Sequence, residues 1–222
     1  MDDSGHIKTS DKYSLQGMVY DRIREDILNG VYKENDELRE MTIGAELGVS
    51  RTPVREALRQ LELQGLVKIV PNKGARVIGI SNKDLKDIYE MRARLEGLCA
   101  RWAVKNATEE DIARLDEICE LSEFCCMKKK YDKVLELDNE FHEQLYKMAD
   151  SKMLHRTMSD LHHYVEILRK KTLSSEDRAA YSIKEHRDII DSIKAKDADK
   201  AEQLAVHHMK KTIDNIEEHG LW

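Results

Sequence analysis

The stretch Leu38–Val77, LREMTIGAELGVSRTPVREALRQLELQGLVKIVPNKGARV, decides how the N-terminal part of this 222-residue chain folds. Ala45 and Leu47 close a short amphipathic helix, and Gly48 tolerates the positive φ of a tight turn. Ser50 stands where a helix cap belongs. Pro53 falls in the first turn beyond it, where a missing N–H costs little. The second helix, roughly 50–64, carries Val54, Leu58 and Leu61 on one face and Arg51, Arg55 and Arg59, one turn apart, on the other. Two strand-like runs follow, Leu66–Val70 and Ala75–Ile80, joined by Pro71-Asn72-Lys73-Gly74, a hairpin with a basic tip. The whole reads as a winged helix-turn-helix. Its second helix can lay guanidinium groups against phosphates and the O6/N7 edge of guanine, so double-stranded DNA is the expected partner.

Charge is distributed to match. The net charge of −6 would by itself argue against nucleic acid. From Arg51 to Arg76, however, six basic residues (Arg51, Arg55, Arg59, Lys68, Lys73, Arg76) stand against two acidic ones (Glu56, Glu62), a local net of +4. DNA binding needs a basic footprint rather than a basic protein. A charged stripe alone would read as a solvated helix face. The turn, the cap and the hairpin beside it favour a reading head.

The run Gly48-Val49-Ser50-Arg51-Thr52-Pro53-Val54-Arg55-Glu56-Ala57-Leu58 resembles the signature of the GntR family of bacterial transcription regulators. The resemblance implies DNA contacts at Arg51, Thr52 and Arg55 and at the wing tip near Lys73 and Gly74. In some relatives an arginine of the preceding helix also contacts DNA. Met41 occupies that position here, with Arg39 nearby.

Length and composition suit two modest domains with short connections: charged residues make up 36% of the chain, with 2 prolines and 10 glycines. The reading divides the chain into a frayed polar tail (1–13), the winged domain (14–80) and an all-helical domain (81–222). The fold class is thus mainly α, a winged helix-turn-helix followed by an antiparallel helical bundle. No apolar run is long enough for a membrane span, and the N-terminus lacks the order of a signal peptide, so a cytoplasmic protein is expected. The 4 cysteines (Cys99, Cys119, Cys125, Cys126) have no zinc-ribbon spacing and read as reduced thiols. After residue 80, Ser81 and Asp84 form a candidate capping box opening a helix to about 107, and Thr108 and Asp111 open the next. Further helices are expected over 131–149, 152–172, 178–195 and 198–218, the last capped by Asp197.

The helical domain holds a second chemical signal. Asp138 and His142, four apart, share a face with Val134, Phe141 and Leu145. His186 sits among Ile183, Ile189, Ile190 and Ile193, and His208 beside Ala201, Leu204 and Ala205. His207, among Lys200, Gln203, Lys211 and Asp214, reads as solvated. Four polar groups therefore point inward, where an unpartnered carboxylate is costly. One divalent cation held by Asp138, His142, His186 and His208 resolves all four, and a nitrogen-rich set suits zinc best, with nickel or iron(II) as alternatives. A single core histidine would be structural.

This pattern resembles the all-helical effector domain, called FCD, of the FadR branch of GntR regulators. Its hallmark is Asp-x-x-x-His on one helix and single histidines on two later ones, matched by Asp138, Phe141 and His142, by Glu185-His186, and by His208. The Glu-x-Arg-x-x-Leu-Glu of its opening helix is present as Glu90, Arg92, Leu95 and Glu96, whereas Lys152 departs from the family pattern. The resemblance implies a homodimeric regulator, expected to be a repressor, that binds a pseudo-palindromic operator and responds to a small organic-acid metabolite at the metal. Arg92 faces inward with Leu85, Ile88, Leu95 and Cys99 and can pair with a carboxylate, or with Glu96 as a structural pair. His155, His162 and Arg169 recur every seven residues and line either the pocket or a surface edge. Two alternatives stay open: a metal-dependent enzyme, against which no general base, nucleophile motif or phosphate loop accompanies the cluster, and a constitutive DNA-binding dimer with a structural metal.

Overall fold

The computed structural model describes residues 14–71, 73–172 and 176–222, with side chains at all of these except 167–177. Two compact units divide the chain, residues 1–81 and 82–222. The expected frayed tail, 1–13, lies outside the described residues.

In the first unit, Ser14 caps α1 (Leu15–Leu28) by accepting a hydrogen bond from the Gly17 N–H. Val19, Ile23 and Ile27 of α1 are buried, as are Val54, Ala57, Leu58 and Leu61 of α3 (Arg51–Leu63), the helix it packs against. Between them lies α2 (Glu40–Leu47), ended by Gly48 at φ 67°, the left-handed conformation that the turn to α3 requires. Ser50 takes the extended N-cap conformation but its side chain makes no capping bond, so here the sequence expectation fails; Pro53 in the first turn leaves one fewer N–H to satisfy. The wing is β2 (Val67–Val70) against β3 (Gly74–Val77), shorter at its far end than expected: beyond Val77 the chain turns, and Ile78 and Gly79 both donate to the Leu66 carbonyl. A third strand, β1 (Glu37–Leu38), pairs antiparallel with β3 and gives the order β1-β3-β2. Gly74, at φ 97°, lies so close to the Leu38 carbonyl that a Cβ could not be accommodated.

The second unit consists, among the described residues, of six helices: α4 (Asn82–Asn106), α5 (Glu109–Met127), α6 (Tyr131–Met148), α7 (Lys152–Thr172), α8 (Glu176–Lys194) and α9 (Ala198–Glu218). Thr108 and Asp111 form a complete capping box at α5, and Asp197 caps α9 through the Lys200 N–H. α4 runs against α9 and also meets α6 and α7, while α5 packs on α6 and α8. The main core joins Cys99, Ala100, Leu115, Phe141, Leu145, Met158, Ile189 and Ile190, and a smaller one gathers Ile88, Tyr89, Val165, Met209 and Ile216. All four cysteines are buried and free, and burial pushes the Cys119 thiol up to about 12, far from a reactive thiolate. No helix among the described residues is long and apolar enough to cross a membrane.

Candidate functional site

The first candidate site is the outer face of α3 with the wing. Burial of Val54, Leu58 and Leu61 turns Arg51, Thr52, Arg55 and Arg59 outward, all exposed. The three arginines border an open groove of about 910 Å³ whose far side is Val70, Pro71, Lys73 and Gly74, so helix and wing tip face one space. Arg39, Glu40 and Met41 complete it, and Met41 is 70% exposed there. Arg59 pairs with Glu56 at 3.2 Å, while Arg51 and Arg55 both reach Glu40, a partner that sequence spacing did not disclose.

The second is buried in the helical unit. His142 of α6, His186 of α8 and His208 of α9 each offer a ring nitrogen within 4.8 Å of the others. All three are buried, and His186 stacks on Phe141 with ring centroids 3.8 Å apart. Asp138, one turn before His142, is buried beside them. Its Oδ1 lies 3.6 Å from His186 Nε2 and accepts from Ser182 Oγ at 3.4 Å, which sets it next to the histidine trio rather than within it. His207 is exposed, on the solvent side of α9.

Carboxylates behind the ring set their tautomers. His142 Nδ1 donates to Glu96 Oε2 at 3.2 Å and His208 Nδ1 to Glu185 Oε2 at 2.7 Å, so in the neutral form of each ring Nε2 is the nitrogen that carries the lone pair. His142 Nε2 is buried without a hydrogen-bond partner among the described residues. Burial drives the His208 imidazole down to about 4 although Glu185 pulls the other way, so the ring is neutral, as a metal ligand must be. Glu185 lies below the usual carboxylate range: burial raises it, and His208 and Arg178 outweigh the burial. Three convergent imidazoles, two oriented by carboxylates, and one orphaned ring nitrogen fit a divalent transition ion.

Glu96 joins this trio to Arg92. Both are essentially inaccessible, at 0% and 1%, and Arg92 Nη2 donates to Glu96 Oε1 at 2.8 Å. The structural pairing expected at i,i+4 is thus present, but it does not exhaust the arginine. Nη2 also lies 3.3 Å from the Tyr146 hydroxyl and 3.4 Å from His162 Nδ1, while Nε and Nη1 are buried without partners among the described residues. Burial opposes ionisation of Glu96, yet His142, Arg92 and Tyr146 hold it well below the usual carboxylate range. His162, on α7, is partly buried rather than at a surface edge. Arg92 can only donate to Nδ1, so Nε2 carries the proton and donates to Asn139 Oδ1 at 2.9 Å. Burial, with Arg92 and His142 adding to it, keeps that ring far below its ordinary value and therefore neutral. His162 and Tyr146 also line a cavity of about 180 Å³ with Asn139, Glu143, Ser159 and Glu166. His155 turns instead to Glu143, and the Arg169 side chain lies outside the described ones.

An arginine-faced reading helix with a wing, followed in the chain by a helical bundle with a buried polar site, defines a class of bacterial DNA-binding regulators. Residues 15–77 match the model for bacterial regulatory proteins of the gntR family and residues 87–211 that for the FCD domain. The chain belongs to the gntR family, among its members with an FCD domain. It is 30% identical over 200 residues to the probable D-xylose utilization operon transcriptional repressor of Paenarthrobacter nicotinovorans, covering 88% of this chain and 86% of the relative. It is 26% identical over 198 residues to the HTH-type transcriptional repressor RspR of Escherichia coli K12, covering 89% and 87%. Among solved structures, E. coli McbR/YncC aligns with a TM-score of 0.72 at 22% identity, over 93% of this chain and 99% of that one, a likeness of fold. These relatives are transcription regulators and not enzymes, and this chain is a DNA-binding transcription regulator.

Proposed function

We propose that the protein is a homodimeric cytoplasmic repressor whose operator affinity is set by a small carboxylate metabolite bound at a metal in the helical domain. The observation that carries this reading is the adjacency of two binding chemistries: a convergent trio of buried imidazoles, and a buried guanidinium with two nitrogens, Nε and Nη1, that have no hydrogen-bond partner among the described residues, bridged by Glu96. His142, His186 and His208 would hold the ion, with Asp138 within reach of the same site as the fourth ligand. Zinc suits the nitrogen-rich set, and nickel or iron(II) follow. Once bound, the ion would offer open coordination positions to a ligand oxygen.

The chain's own residues supply the rest. Arg92 would offer its unpartnered Nη1 hydrogens to a carboxylate, a charge-assisted hydrogen bond worth more in a dry site than in water. Neutral His162 and Tyr146 shape the approach, and the size of the adjoining cavity favours a metabolite of a few carbons. The relative named as a probable repressor of a D-xylose utilization operon supports a repressor of small-molecule metabolism. Coupling requires only that the ligand bind the DNA-competent and DNA-incompetent arrangements with different affinity.

Metal content after exhaustive dialysis tests the site. His186→Ala and His208→Ala should lose the ion, and His207→Ala should keep it. Full occupancy in either of the first two variants would show the trio to be misassigned. In the wild type, a panel of small carboxylates should release DNA from the folded, metal-loaded protein. A structural metal would instead give release only where chelation also unfolds the helices.

A further inference from the structure

In the groove between α2, α3 and the wing, one carboxylate holds two arginines. Glu40, the first residue of α2, accepts four hydrogen bonds. Arg51 donates from Nε and Nη2 to Oε2 at 3.2 and 3.1 Å, and Arg55 donates from Nε to Oε1 and from Nη2 to Oε2, both at 2.9 Å. A guanidinium has five N–H groups in a rigid plane. Each arginine therefore commits its inner edge, Nε–H and one Nη2–H, to Glu40. Its end-on fork, formed by Nη1 and the other Nη2 hydrogen, is not engaged by the carboxylate. That fork has the geometry that reads guanine O6 and N7. The arginine side chains are 60% and 48% exposed, whereas Glu40 is only 18% exposed and anchored in a helical first turn, where the helix dipole favours its charge.

We propose that Glu40 is a positioning residue of the reading head: it fixes Arg51 and Arg55 by their inner edges so that their outer forks enter the major groove already aimed. This rests on Arg51 and Arg55 being the base-reading pair. Glu40 thus trades one unit of attraction for any phosphate backbone against orientation toward particular bases. The loss of arginine side-chain entropy is incurred on folding rather than on binding. A rival role, masking the arginines until phosphates displace the carboxylate, predicts the opposite balance: removal of Glu40 would then tighten binding to every duplex alike.

The full-length wild type, used to select duplexes from a random library, supplies the probe. Affinity is then measured for the selected duplex and for a scrambled duplex of the same composition, with folding followed by circular dichroism. Glu40→Gln should lower the ratio of specific to scrambled affinity about tenfold, part of the discrimination a bidentate base contact carries. It should bind the scrambled duplex as well as the wild type or better. Its own selected motif should blur at the positions that Arg51→Ala and Arg55→Ala also lose and stay intact elsewhere. Glu40→Asp, which keeps the charge at the start of α2 but not the reach, should follow Glu40→Gln. An unchanged ratio, uniform blurring of the whole motif, or wild-type behaviour of Glu40→Asp would each overturn the proposal. If Arg51→Ala and Arg55→Ala retain the wild-type motif, the assignment of the reading pair itself fails, an outcome distinct from failure of Glu40 alone.

Discussion

Glu96 is the residue on which both halves of the buried site depend. One oxygen faces Arg92 and Tyr146, the other faces His142, and no water-exposed surface remains to solvate any of them. Removing its charge strands a guanidinium in a dry interior, a change that costs about 3–5 kcal/mol when one partner of a buried pair is lost. Glu96→Gln should therefore lower the urea midpoint of the helical domain. It should also weaken metal binding about 10–100-fold, because the His142 tautomer loses its carboxylate support. A variant that unfolds at the wild-type midpoint and binds metal equally well would show that Glu96 neither compensates Arg92 nor orients His142. The histidines themselves were legible in the sequence, since a 3.6-residue period tells His208 from His207 without any knowledge of the partner helices. Their carboxylate supports were not legible as such. Glu96 lies 46 positions from His142 and Glu185 lies 23 from His208, and no local pattern encodes which distant oxygen meets which ring.

At the scale of elements, local chemistry set most boundaries. Thr108 and Asp111 exchange capping bonds in both directions, with the Asp111 N–H donating to Thr108 Oγ1 at 3.1 Å and the Thr108 N–H to Asp111 Oδ2 at 3.0 Å. Thr108→Ala should cost about 1 kcal/mol, read as a lower melting temperature. The Thr108 hydrogen bonds hold the Asp111 carboxyl below its ordinary value, burial opposing them. A depressed carboxyl contributes its stability in full above its unfolded pKa and loses it as pH falls through the folded one. Asp111→Asn should thus be less stable than wild type near neutrality and converge with it below roughly pH 4. A constant difference across that range would deny the box its charge. Ser50 shows the limit of such reading: residue type and backbone both suit a cap, yet its side chain makes no capping bond. The two-residue β1 escaped because no period can be read from Glu37 and Leu38. Only their pairing with β3, Glu37 against Arg76 and Leu38 against Ala75, makes them a strand. The wing was legible from its turn, whereas its end at Val77 depends on Leu66 accepting two N–H groups from the returning chain.

For the whole molecule, the decisive property of the proposed dimer is its symmetry. One reading helix with a short wing touches too few bases to select a site in a genome, whereas a two-fold pair doubles the contacts and imposes its own symmetry on the operator. Acidic overall charge makes this requirement sharper. With a net charge of −6, the protein has little non-specific attraction for DNA beyond the local +4 of Arg51–Arg76, so in the proposed dimer affinity would rest on placing two heads at once. The proposed dimer therefore fixes the rotational phase of the half-sites, which must face the same side of the duplex, one helical turn or a multiple apart. Inserting about five base pairs between the half-sites of a selected operator turns one half-site to the opposite face and should abolish tight binding. Inserting a full turn of about ten should restore part of it if the dimer can span the added length. Gel-shift titration of the three duplexes at one fixed salt concentration reads the outcome, and sedimentation of the free protein reports its mass. Affinity indifferent to the half-turn insertion would mean that the heads read DNA independently. The proposed effector control would then have to act within one chain rather than through the spacing of two.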